Sequence, residues 1–154
     1  MNGNGAIAPG TIRRLVLAQL TLTGAAFTIA VASVLFSRVS LSKASKVVEL
    51  TLESSMFAIG VALIAAGVVG LLQHRFPAWP KVVALFAPAV LTLAVILLGY
   101  GTDLDRLPES IGSSTRDQML LAEWLVLAAI VPATLAGALL LAHTMRTARA
   151  VATS

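Results

Sequence analysis

Two histidines are the first residues to weigh for chemistry. His74 and His143 each close an apolar run, and alternation of the runs across a bilayer places both at the same face. Imidazole is a common iron ligand, so two histidines on facing helices could hold a b-type haem or touch a quinone headgroup. Each stands beside a basic neighbour, Arg75 or Arg146, whereas haem ligands normally lie deeper in a bundle. The reading adopted is a polar anchor at the interface, with no cofactor required and with haem or quinone contact as the sharper alternative. Carboxylates offer a second possibility. Glu53 and Glu123 stand at the mouths of two apolar runs, where a helix dipole favours negative charge. Joined by Asp103 or Asp105 they would make a cation site, but the spacing matches no EF-hand loop.

Other chemistries are excluded more firmly. There is no cysteine, so thiolate metal sites, disulfides and thiol redox steps are all ruled out. No Gly-rich phosphate loop, zinc-type His/Glu helix motif or serine elbow is present. The basic residues form no stripe interleaved with aromatics, so nucleic acid is not an expected partner. No catalytic constellation is visible, and the expectation is a protein that is not an enzyme.

The elements that carry these residues are read from hydrophobicity. The chain has 154 residues, 58% hydrophobic and 12% charged. An average soluble domain is about 25% charged. A chain this poor in charge lacks the polar surface to cover a soluble globule, and lipid is the solvent that tolerates it. Four apolar runs follow, at about 15–37, 54–73, 82–101 and 119–142, each near the roughly 20 residues that cross a hydrocarbon core. The fold class expected is all-α, an integral membrane four-helix bundle forming a single domain of residues 1–154. Residues 1–10 and 147–154 read as flexible tails. The first run also resembles a secretory signal peptide, with Arg13 and Arg14 ahead of it and Ala30-Val31-Ala32 as a cleavage site. It continues through Val34, Leu35 and Phe36, which favours an uncleaved span. Residues 38–53 read as an amphipathic surface helix or an extended loop. Residues 76–80 read as a stiff turn between two prolines, and Trp79 and Tyr100 bracket the third run at the two interfaces.

Charge gives the topology. The termini side holds Arg13, Arg14, Arg75, Lys81, Arg146 and Arg149 and no acidic side chain. The other side holds Arg38, Lys43, Lys46, Arg106 and Arg116 together with every acid. Lysine and arginine close to helix ends mark the cytoplasmic side, so both termini are expected there. The Ala/Val/Leu/Gly-rich composition and the excess of arginine over lysine suggest a bacterial plasma (inner) membrane.

Within the spans, small residues set how closely helices approach. Three stripes stand out: Gly24, Thr28 and Ala32; Ala58, Ala62, Ala66 and Gly70, joined by Gly60 and Gly67; and Ala129, Ala133 and Gly137. Pro88 and Pro132 lie inside the third and fourth runs and are expected to bend them. The middle of each span holds no Asp, Glu, Lys, Arg or His, groups on which pumps and proton relays depend. Small multidrug transporters rely on a glutamate deep in the first span, where this chain has Gln19. The function expected is a small non-catalytic accessory or structural subunit of a larger bacterial membrane complex, a respiratory one on base rates, with other membrane subunits and bound lipid as partners. A small transporter or channel-like oligomer is the alternative from a different class.

Overall fold

The computed structural model describes residues 9–36, 45, 54–72, 77–98 and 113–152. It is an all-α, integral membrane four-helix bundle, built from α1 (Pro9–Phe36), α2 (Ser55–Leu71), α3 (Ala78–Leu97) and α4 (Ser113–Ala152). Three of these, α1, α3 and α4, are long and apolar enough to cross a membrane. With 28, 20 and 40 residues, they extend for roughly 42, 30 and 60 Å at about 1.5 Å per residue. The 17 residues of α2 are equally apolar and extend for about 26 Å, the lower end of what a span requires.

The helix ends differ from the tails and loops read from hydrophobicity, for identifiable reasons. α1 starts at Pro9, inside the segment expected to be a tail. Proline suits a first helical turn because the amide it lacks has no intrahelical partner there. The same reason explains Pro80, expected in a turn but lying in the first turn of α3 behind Pro77 as its N-cap. α4 begins at Ser113 and continues to Ala152, so residues 113–118 and 147–152 are helical rather than loop and tail. Polar residues that leave the bilayer need not leave the helix: hydropathy marks the lipid boundary, not the end of the hydrogen-bond ladder. Ser54 caps α2, its hydroxyl accepting from the Phe57 amide at 3.1 Å.

Helices adjacent in sequence pack side by side, and α1 closes the ring against α4 across the broadest interface of the bundle. One end is filled by Val16, Ala66, Leu85 and Ala136, backed by Ile12, Leu15 and Leu140. The other holds Ala26, Ile59, Leu63, Ala122, Val126 and Ala129. The start of α1 therefore meets the later part of α4, so the beginning of α1 and the end of α4 belong to one end of the bundle.

The buried positions repeat with a period of 3.5. On α1 they are Val16, Gln19, Thr23, Ala26 and Ser33. On α4 they are Met119, Ala122, Val126, Ala129, Ala133 and Ala136. The α4 series steps by three and four in alternation, and the α1 series does so as far as Ala26, with Ser33 one heptad further on, the spacing of helices that wind left-handedly about one another. Alanine at successive seam positions of α4 lets the two backbones come close. α2 meets α1 through glycines. A Cβ on Gly60 would lie 2.9 Å from the Phe27 ring, and one on Gly67 would lie 2.6 Å from Leu20 Cγ. The Phe27 ring also meets Phe57 edge-to-face, at 5.7 Å between centroids and 77° between planes. On α4, a Cβ at Gly137 would be 3.1 Å from the Phe86 ring of α3.

Candidate functional site

The interior polar groups lie along the seam of α1. Gln19 is fully buried, and its Nε2 donates to the Leu63 carbonyl of α2 at 2.5 Å. Leu63 lies in the middle of α2, where its carbonyl also accepts the ordinary bond of the helix. The Gln19 amide orientation is dictated by that acceptor, since the flipped form would set two oxygens against each other. Its Oε1 is then left buried with no donor. One turn on, Thr23 is also fully buried, and its hydroxyl donates back to the Gln19 carbonyl at 2.9 Å. Ser33 does the same to Ala30 at 2.8 Å.

Outside the seam, the hydroxyls bond to their own helices. Thr21 donates to Leu17, Thr28 to Gly24 and Thr92 to Pro88, at 2.8–2.9 Å. Thr134 donates to Ile130. Both interior prolines sit within continuous helices. Pro88 is fully buried, so the carbonyl of Ala84 that it deprives of a donor belongs to the inward part of α3. Among the described residues the one buried charged side chain is Lys81, in the first turns of α3 at the termini end.

The residues singled out for chemistry are placed differently. His143 is exposed on α4 beyond the apolar run, away from the bundle's interior. His74 lies outside the described residues, as do Glu53, Tyr100, Asp103, Asp105 and, apart from residue 45, the segment read as a surface helix. Glu123 is half-buried. It is the eleventh residue of α4, because the helix starts at Ser113 rather than at the lipid boundary. It is thus about 15 Å along the axis from the helix start, too far for the dipole role expected of it, which fades within the first turn.

The small-residue stripes separate into two kinds. Gly60, Ala66, Gly67 and Gly70 of α2 and Ala129, Ala133 and Gly137 of α4 are buried between helices, with Ala62 half-buried beside them. Ala58 is exposed. On α1, Gly24 and Thr28 are exposed and Ala32 is half-buried, and a Cβ on Gly24 would meet nothing within 4 Å. That stripe lies on the outside of the bundle, because the α1 seam runs instead through Gln19, Thr23 and Ala26. Gln19 is the interior residue that reading small residues alone overlooked. The signal for it was available in the 3.5-residue repeat Val16–Gln19–Thr23–Ala26–Ser33.

What this arrangement can do is hold helices together. The described interior presents one inter-helix amide bond, hydroxyls turned onto their own backbones, and glycine contacts that leave neighbouring side chains no slack. Comparison of the chain with protein-family models, with curated proteins and with solved structures finds no match in any of the three.

Proposed function

We propose that this chain is a non-catalytic accessory subunit of a larger membrane complex, in a bacterial plasma membrane, with both termini in the cytoplasm. The observation that carries this reading is the close packing of the described helices. The glycine approaches at Gly60, Gly67 and Gly137 bring helices into mutual contact, and the seam of α1 is occupied by side chains bonded to backbone. Such a bundle is suited to filling space beside other subunits and shielding them from lipid. The outward stripe of Gly24 and Thr28 supports the same view. A small-residue groove on the outer face of a membrane helix admits the backbone of another helix closely, and close packing is what drives association where lipid is the solvent.

The test is purification under mild detergent from the native membrane through a tag on the chain. The expected result is that larger membrane proteins accompany it in fixed ratio, and that Gly24→Leu reduces their recovery while the chain stays folded. A chain that always runs alone, with no difference between wild type and Gly24→Leu, would refute the proposal.

A further inference from the structure

We propose that Gln19 is a specificity residue: its amide biases which of two small-residue faces of α1 turns into the bundle. Small residues alone leave that choice open, because both faces offer them. One face is the seam of Val16, Gln19, Thr23, Ala26 and Ser33, all buried. The other carries Gly24 and Thr28, both exposed, with Ala32 half-buried. At about 100° per residue, Gly24 stands roughly 140° around the axis from Gln19. A turn of α1 by that angle would set Gly24 and Thr28 towards the alanines of α4 and carry Gln19 out to lipid. The spacing shared with α4 favours the seam, and Gln19 adds a polar preference of the same sign.

The other buried polar groups of the seam supply no such preference. The Thr23 hydroxyl donates to the Gln19 carbonyl and the Ser33 hydroxyl to the Ala30 carbonyl. Both acceptors belong to α1 itself, so these bonds survive any rotation of the helix. The same holds for Thr21 and Thr28, which donate to Leu17 and Gly24. The Gln19 Nε2 donates instead to the Leu63 carbonyl on α2. That bond exists in one pose and not in the other.

Turned outward, the amide would meet hydrocarbon, which offers neither its donor nor its acceptor a partner. Turned inward, it keeps one bond and leaves Oε1 unpaired. The inward pose is therefore favoured by a residue that is itself imperfectly satisfied there. A single polar side chain at a seam position fixes the arrangement of some soluble coiled coils in the same way, at a cost in stability. This role accounts for an amide at a place where an apolar side chain of the same length would pack as well.

This inference stands apart from the accessory-subunit reading, since its test uses the isolated full chain in lipid vesicles. The chain has no cysteine of its own, so disulfide trapping within one chain reports the pose of α1. Thr28→Cys/Ala122→Cys joins the outward face of α1 to the buried seam of α4 and reports the turned pose. Ala26→Cys/Ala122→Cys joins two members of one core cluster and reports the native pose. Adding Gln19→Met should raise the rate of the first pair relative to the second by about three- to twenty-fold, the ratio equivalent to the ~0.6–1.7 kcal/mol of an inter-helix hydrogen bond. Gln19→Leu should act in the same direction with a second apolar side chain. Thr23→Val removes a hydroxyl bonded within its own helix and should leave the ratio unchanged. An unchanged ratio in both Gln19 variants overturns the proposal. An equal rise in Thr23→Val overturns it too, because that would mark a general loosening of the seam.

Discussion

The orphaned oxygen of Gln19 makes a quantitative prediction about the interior. Replacing Gln19 by Met keeps an unbranched chain of similar length and polarisability, so packing is largely preserved. Two polar terms change. The bond from Nε2 to the Leu63 carbonyl is lost. Inter-helix hydrogen bonds in membrane proteins average about 0.6 kcal/mol and reach about 1.7 kcal/mol. The Leu63 carbonyl keeps its intrahelical donor, so nothing further is stranded. Against this, the buried Oε1 is no longer there to lack a donor, and an unsatisfied buried acceptor costs about 1–3 kcal/mol. The balance favours the variant: Gln19→Met should be stabilised by about 1 kcal/mol, within a range from a loss of about 0.7 to a gain of about 2.4 kcal/mol. The assay is reversible unfolding in mixed micelles by titration with a denaturing detergent, followed by far-ultraviolet circular dichroism. A loss of more than about 1.5 kcal/mol would refute the reasoning, because it would mean that Oε1 receives a strong donor in the native protein.

Four further predictions concern the packing, the helix cap and the charge. Gly67→Ala should destabilise the bundle by about 1–3 kcal/mol, the usual cost of overpacking, because its Cβ would lie 2.6 Å from Leu20 Cγ. Gly24→Ala meets nothing within 4 Å, so the isolated chain should be unchanged or gain up to about 1 kcal/mol from helix propensity in the same micelle assay. Ser54→Ala removes the hydroxyl that accepts from Phe57 and should cost about 1 kcal/mol, seen as faster amide exchange in the first turn of α2. A cytoplasm-active reporter fused after Ser154 should be active and a periplasm-active one silent; the reverse pattern would refute the assigned orientation.

The helices were legible from hydropathy because an apolar run about as long as a hydrocarbon core is thick has few uses other than a helix. Their ends were not. Hydropathy reports where lipid begins, and the helix of α4 runs past that point on both sides, from Ser113 to Ala152. Nothing in the solvent change at Met119 or Ala142 breaks a backbone hydrogen bond. The misplaced role of Glu123 has the same cause: the first residue in lipid was mistaken for the first residue of the helix.

Which face of each helix turns inward is a different problem. In water the core face is the apolar one, and a period of 3.6 in hydrophobicity reveals it. In lipid both faces of α1 are apolar enough, and the order inverts. Its outward side carries Leu17, Val31, Leu35 and Phe36, all exposed, while its seam is Val16, Gln19, Thr23, Ala26 and Ser33. Small and weakly polar residues are inside because bulk has no advantage over a lipid tail, whereas close approach and a satisfied polar group do. Small residues alone do not settle the choice, since Gly24 and Thr28 form as good a stripe on the wrong side. What separates them is registry with the partner. From Val16 to Ala26 the α1 seam has the alternating three-and-four spacing of Met119–Ala122–Val126–Ala129–Ala133–Ala136 on α4, with Ser33 a heptad further, and two helices wound about each other need a shared period along their contact. The Gly24–Thr28–Ala32 stripe steps by four throughout. A four-residue step drifts across the face of a left-handed pair, which leaves that stripe out of the α1–α4 contact.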